Sequence, residues 1–94
     1  MDNTIMTEVY VSFSVALQQL KYGAFVARKG WNGKNMWIKF VVPFGELTHP
    51  FLAIEYPKGS AAYPNGSVVP WLPSQTDILA DDWFIVRPSS TTTS

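Results

Sequence analysis

The stretch SFSVALQQLKYG, residues 12–23, determines how the fold begins. Four of its apolar residues recur at i, i+3, i+4 and i+7, which places them on one face of a helix. They are Phe13, Ala16, Leu17 and Leu20. Ser12 is typical of a helix N-cap, and Gly23 suits the left-handed residue that ends a helix. The spacing therefore predicts one amphipathic helix whose apolar face needs a partner.

Short runs of β-branched and aromatic residues follow this helix and predict strands. They cover residues 24–27, 36–42, 51–56, 67–69 and 83–86. The first two runs flank Gly30 and Gly33 and predict a β-hairpin, whereas residues 57–66 are rich in turn formers. Pro73 and Ser74 can open a second, short helix. Because helices and strands do not alternate regularly, we expect an α+β fold with a small, mainly antiparallel sheet of about five strands.

The length of 94 residues fits one domain. We expect residues 1–11 to form an N-terminal arm or edge strand, residues 12–87 a single α+β domain, and residues 88–94 a disordered tail. The N-terminus does not resemble a signal peptide, and apolar runs stay far below the ~20 residues of a membrane span. A soluble, cytoplasmic protein is therefore expected.

Composition narrows the classes of partner. Hydrophobic residues make up 47% and aromatic residues 15%, with four Trp and six Phe. A small domain cannot bury all of these rings alone, so we expect a homo-oligomer. Seven basic and seven acidic residues give a net charge of +0, which argues against DNA or RNA as a partner. Cysteine is absent, which excludes disulfides and thiolate chemistry.

The first candidate binding segment is ARKGWNGK, residues 27–34. Trp31 can stack on a base, Asn32 can donate and accept hydrogen bonds, and Arg28 with Lys34 can bind phosphate. The two glycines permit close approach of the backbone or positive φ. An ordinary hairpin turn with solvated lysines and a core tryptophan explains the same residues, and composition alone favours that alternative.

The second candidate segment is VPWLPSQTD, residues 69–77. Its prolines hold Trp71 in extended backbone, and the residues after Pro73 lie at the start of the short helix, where free amides attract anions. The alternative is a capping box formed by Ser74 and Asp77, which leaves Gln75 and Thr76 free for a ligand. Both interpretations remain open from the residues alone.

Neither segment carries the groups of an obvious enzyme. Asp81 and Asp82 are adjacent, so they are poorly placed as an acid/base pair, and a carboxylate near Arg28 is better explained as an ion pair. His49 has no serine, cysteine or second histidine at a telling spacing. One histidine and no cysteine give no support to a metal site. We therefore expect no catalytic residues, no metal and no cofactor.

Both segments, together with residues 13–17 and Gly23, resemble the second Thoeris anti-defence family of phages and prophages. The similarity runs over residues 12–86 and extends past the second segment through ILADDW, residues 78–83. It implies a non-enzymatic protein that binds a cyclic ADP-ribose signal, glyco-cyclic ADP-ribose, in the infected bacterial host. Sequestration of the intact signal then prevents activation of the Thoeris effector. An alternative is a structural or partner-binding phage protein that acts on a host factor.

The resemblance also implies a homotetramer with ligand sites at subunit interfaces. Some members of the family also bind cyclic oligonucleotides at a second site, and the sequence leaves open whether this chain does. On the matching motif positions we expect Trp31 or Trp71 on the adenine and Arg28 with Lys34 near the pyrophosphate. The complete set of expected ligand-binding residues is Arg28, Trp31, Asn32, Lys34, Trp71, Gln75, Thr76 and Asp77.

Overall fold

The computed structural model describes residues 9–31 and 35–86, and it has the expected α+β fold. The elements are α1 (Phe13–Lys21), β1 (Phe25–Arg28), a 3-10 turn (Lys29–Trp31), β2 (Trp37–Val41), β3 (Phe51–Lys58), β4 (Asn65–Pro70), α2 (Gln75–Leu79) and β5 (Trp83–Val86). The strands form one sheet in the order β4-β3-β2-β1-β5, and each neighbouring pair is antiparallel. Expectations for residues 1–8, 32–34 and 87–94 lie outside the described residues.

Helix α1 follows the spacing that predicted it. The Ser12 side chain accepts a hydrogen bond from the Val15 amide, and Gly23 has a φ of +98° just beyond the helix. Ala16 and Leu20 are fully buried against Val26 and Ile38 of the sheet. The apolar face of α1 thus covers one face of the sheet, as the periodicity requires.

The first hairpin is confirmed, since β1 and β2 pair with Val26 opposite Ile38. On its other side β1 pairs with β5, which brings the two ends of the domain together. Val11 and Trp83 exchange two backbone hydrogen bonds of 2.8 and 3.1 Å. This is a single isolated bridge beside β5 and not a strand, so the described part of the N-terminal segment only begins an edge.

The second hairpin is longer than the sequence indicates. The turn formers at 57–66 predict a loop, yet β3 continues to Lys58 and pairs there with Asn65. Beyond Glu55, β3 has a neighbour on one side only, so the missing amide of Pro57 breaks no ladder. Likewise Pro70 does not shorten β4, because β4 is an edge strand and Pro70 still pairs with Ala53.

No helix within residues 9–31 and 35–86 is long and apolar enough to span a membrane.

Candidate functional site

The two tryptophan segments meet at a third tryptophan. Trp31 and Trp71 both pack edge-on against Trp83, with ring centroids 5.5 and 5.8 Å away and interplanar angles of 78° and 81°. Trp83 is fully buried, and β1 carries the first segment beside it because Arg28 lies opposite Trp83 in the sheet. Residues 40 positions apart in the chain therefore form one site.

The aromatic cluster combines core packing with partial exposure. Phe13 of α1 lies 5.3 Å from Trp83 and 5.9 Å from Trp71, centroid to centroid. Trp31 and Trp71 are only partly buried, so each keeps some surface for another molecule. The core-tryptophan alternative, which concerned Trp31, is therefore correct for the part of that ring that packs on Trp83. A ring fixed by such packing is a preorganised platform for a base.

Arg28 joins the two segments through ion pairs. Its Nε lies 2.8 Å from Asp82 Oδ1, its Nη2 3.4 Å from Asp82 Oδ2, and its Nη1 2.9 Å from Asp77 Oδ1. The arginine side chain is 14% exposed and those of Asp77 and Asp82 are 15% and 30% exposed. Arginine suits this role because its planar fork can bond two carboxylates at once.

Asp77 also completes the capping box of α2. The Ser74 hydroxyl accepts from the Asp77 amide at 3.1 Å, and Asp77 Oδ2 accepts from the Ser74 amide at 3.1 Å. The Asp77 carbonyl accepts a 2.9 Å hydrogen bond from Trp83 Nε1. The capping alternative is therefore confirmed, and the cap is tied to both Arg28 and the buried tryptophan.

The pKa values follow from these contacts. Hydrogen bonds and charge from Asp82 and Asp77 raise the pKa of Arg28 against the opposing effect of burial. Burial alone would raise the pKa of Asp77, but hydrogen bonds from Ser74 and Arg28 outweigh it and lower the pKa. The hydrogen bond from Arg28, aided by the Gly30 amide, lowers the pKa of Asp82 despite burial. Both carboxylates are thus held ionised.

This network limits how Arg28 can meet a phosphate. Three of its five N–H groups are already donated to carboxylates, and two negative charges oppose its single positive charge. A pyrophosphate therefore needs the remaining N–H groups or a further cation. The assignments of Arg28 to pyrophosphate and of Asp77 to a ribose hydroxyl stay predictions.

The other predicted ligand residues fall into two groups. Gln75 and Thr76 lie in α2 with exposed side chains, beside the capped Asp77. They are available to a ligand, as the capping alternative allows. Asn32 and Lys34 lie outside the described residues, so their assignment stays a prediction.

Three further residues build the site, and the sequence revealed their roles only in part. The ion pair expected between Arg28 and a carboxylate is present, and Asp82 is the main partner of the arginine. Trp83 lies in the core and supports both candidate tryptophans, a role that the sequence did not reveal. Gly30 lets the backbone approach closely, since its amide donates to Asp82 Oδ2 at 2.9 Å. The sequence signal for this site is the spacing of the two tryptophan segments. They come into contact because β1 pairs with β5.

His49 lies in the exposed loop after β2, with Nδ1 3.0 Å from the Thr48 hydroxyl. Residues 9–31 and 35–86 contain no group of three or more histidine, cysteine or acidic residues that could hold a metal ion.

Comparison with known proteins gives two matches. The family model described as "Tad2-like: Thoeris anti-defense 2-like domain" matches residues 11–86. A curated protein of Bacillus phage SP01 named "Thoeris anti-defense 2" is 38% identical over 90 residues. That alignment covers 81% of this chain and 94% of the relative. The matched residues include both tryptophan segments, Arg28 and its two carboxylates.

Proposed function

Because the chain belongs to the Thoeris anti-defense 2-like family, we propose that it blocks Thoeris defence by sequestering a cyclic ADP-ribose signal without cleaving it. Family membership supports the phage anti-defence role. The signal we propose is glyco-cyclic ADP-ribose, and the proposed setting is the cytoplasm of the infected bacterium. No cofactor is needed for such binding.

The observation that best supports binding is the convergence of Trp31 and Trp71 on Trp83. Each ring is held by the core and keeps a partly exposed surface, which suits stacking against adenine. The exposed Gln75 and Thr76 lie close by on α2, where they can bond ribose hydroxyls or base edges. Asn32 and Lys34 complete the proposed ligand set.

The state of the carboxylates favours binding over hydrolysis. Asp77 and Asp82 have lowered pKa values, so neither holds a proton near neutral pH for a leaving group. Their oxygens already accept hydrogen bonds from Arg28, Ser74 and Gly30, which weakens them as general bases. The described carboxylates nearest the tryptophans are therefore poor catalytic groups.

A sponge must bind its signal more tightly than the effector does. A nanomolar dissociation constant corresponds to about −12 kcal/mol. Stacking contributes about 1–3 kcal/mol per base, so stacking alone does not reach this value, and enclosure of the ligand supplies further contacts. Leu72 and Leu79 are 92% and 75% exposed beside the site, and a second subunit that covers them would provide this enclosure. We therefore propose a homotetramer with ligand sites between subunits, and cyclic oligonucleotides as candidates for a second site.

Recovery of the ligand tests the proposal directly. Excess protein is incubated with glyco-cyclic ADP-ribose, the unbound fraction is assayed for effector activation, and the protein is then denatured by heat. Sequestration predicts loss of activation before heating and full recovery of intact ligand afterwards. Degraded ligand after heating would instead establish a hydrolase. Absence of ligand binding, with capture of a host protein, would support the partner-binding alternative.

Site variants locate the binding surface. We expect Trp71→Ala to weaken ligand binding at least tenfold by calorimetry, because it removes a stacking surface. Tyr22→Ala is the control variant, since Tyr22 is an aromatic residue at the C-cap of α1 that is 80% exposed and lies outside the tryptophan site. Asn32→Ala should also weaken binding, because it removes an amide that can donate and accept hydrogen bonds. If Trp71→Ala and Asn32→Ala both bind like the parent, the site assignment is wrong.

A further inference from the structure

The face of the sheet opposite α1 is apolar. We call it the open face, and the strand register assigns its members. They are Phe25 and Ala27 of β1, Trp37, Lys39 and Val41 of β2, Phe51, Ala53 and Glu55 of β3, Val68 and Pro70 of β4, and Phe84 and Val86 of β5. Lys39 and Glu55 are the two charged residues in this set. All the others are apolar.

Within residues 9–31 and 35–86, no helix covers the open face. Both helices lie on the other side, where α1 packs on Val26 and Ile38 and α2 bonds Arg28 and Trp83. Tyr10 meets Phe84 at the β5 margin of this face, with 6.0 Å between the ring centroids. Ala27 and Ala53 are 5% and 0% exposed yet lie outside the core cluster. These two alanines lie at the base of the open face, where larger neighbouring side chains shield them from solvent.

The larger side chains of the open face form a hydrocarbon surface. Phe25 and Trp37 stack with centroids 6.0 Å apart and planes only 11° from parallel. The Trp37 Nε1 atom is buried and has no hydrogen-bond partner among the described residues. A tryptophan on a water-facing sheet normally turns its N–H to solvent. Here the carbon side faces outward, as expected for a surface that meets another apolar surface.

The charges on the open face favour a second copy of this chain as the occupant. Lys39 Nζ lies 3.1 Å from Glu55 Oε1, and the two side chains are 29% and 31% exposed. Nucleic acid or an anionic membrane requires an excess of basic residues, whereas this face carries one charge of each sign. A two-fold interface requires a self-complementary patch. Across a two-fold axis, Lys39 of each copy can pair with Glu55 of the other.

We propose that the open face packs against the open face of a second copy, as two face-packed sheets. The packing buries the aromatic surface, with the charge pairs fixing the relative orientation of the sheets. This inference names one interface of the proposed oligomer and does not rest on the ligand. Self-association and ligand recovery are measured separately, so either can fail without the other.

Charge reversal tests the interface. Lys39→Glu leaves two acidic residues on the open face, and Glu55→Lys leaves two basic residues. Each variant alone should repel its own copies, so we expect its mass by sedimentation to fall to half that of the parent or lower. An equimolar mixture of the two variants should regain the parent mass, because opposite faces then meet. Lys58→Glu is the matched control, since Lys58 is exposed on the same strand but belongs to the opposite face.

Cross-linking keeps the proposal testable if a charge variant does not fold. The chain has no cysteine, so Lys39→Cys introduces a single thiol on the open face. A bismaleimide that spans the ~10 Å between face-packed sheets should couple two Lys39→Cys chains and leave Lys58→Cys chains uncoupled. A monomeric parent would overturn the proposal. Residues 1–8, another partner or water would then meet this face. The proposal would also be overturned by a parent mass retained by both charge variants, or by equal coupling of the two cysteine variants.

Discussion

Gly30 illustrates how one residue sets the geometry of the ion pairs. A Cβ at this position would lie 3.0 Å from Arg28 Nη2 and 3.1 Å from Asp82 Oδ2. Both atoms are held in the Arg28–Asp82 pair, so they cannot both move away without weakening it. We expect Gly30→Ala to lower the free energy of unfolding by about 1 kcal/mol, as overpacking does. Urea denaturation measures this difference.

A double-mutant cycle identifies the cause. In an Asp82→Ala background the carboxylate is absent and Arg28 is freer to move, so Gly30→Ala should cost much less there. Equal costs in the two backgrounds would show that crowding of the ion pair is not responsible.

Asp81 and Asp82 provide a second comparison at the residue scale. They are adjacent, but only Asp82 is seen to pair with Arg28. We expect Asp82→Asn to reduce the free energy of unfolding by about 1 kcal/mol, because a charge-assisted hydrogen bond is lost from a partly exposed site. Asp81→Asn should change it little, since Asp81 is exposed. Equal effects in thermal denaturation would contradict this role for Asp82.

At the scale of elements, helix α2 depends on its cap, because its five residues are too few to be stable alone. Ser74→Ala removes the hydroxyl that accepts from the Asp77 amide and should cost about 1 kcal/mol. Gln75→Ala should leave stability unchanged and weaken ligand binding. Calorimetry with ligand and thermal denaturation of both variants separate the two roles. Stability loss in Gln75→Ala would contradict the assignment.

The ion pairs that join β1, α2 and β5 predict how stability depends on pH. The pKa values of Asp77 and Asp82 are lower in the folded chain than the value of about 3.9 for unfolded aspartate. The unfolded chain therefore binds more protons in acid. Stability from these groups is fully present above about pH 4 and is lost as pH falls through the folded pKa values.

Unfolding by urea between pH 6 and 2 measures this dependence. Asp82→Asn should flatten the acid limb relative to the parent. An unchanged acid limb in Asp82→Asn would mean that other carboxylates control acid unfolding.

The elements also show which parts of the fold can be predicted from the sequence alone. The local signals of α1 are strong, so Ser12, the apolar spacing and Gly23 placed the helix correctly. The predicted ends of β3 and β4 were wrong because Pro57 and Pro70 are tolerated where one side of the strand has no neighbour, and local sequence does not reveal the strand order. The partnership of Arg28 with Asp82 spans 54 positions and arises only from the pairing of β1 with β5.

At the scale of the whole molecule, the chain carries two apolar surfaces. One is the open face, and the other is the exposed pair Leu72 and Leu79 beside the tryptophan site. A tetramer with two-fold symmetry requires two different self-complementary interfaces per subunit. The proposed open-face contact and a contact at these leucines together meet that requirement.

This arrangement predicts that assembly and ligand binding can be separated. Lys39→Glu alters the face opposite α1, whereas Trp31, Trp71 and their support Trp83 lie on the α1 side. We expect Lys39→Glu to halve the assembly while the dissociation constant for glyco-cyclic ADP-ribose changes less than about threefold. Leu72→Asp with Leu79→Asp should instead weaken ligand binding, because it prevents enclosure by a second subunit. Loss of binding in Lys39→Glu would place the ligand at the open-face interface, since only there does that substitution separate two subunits.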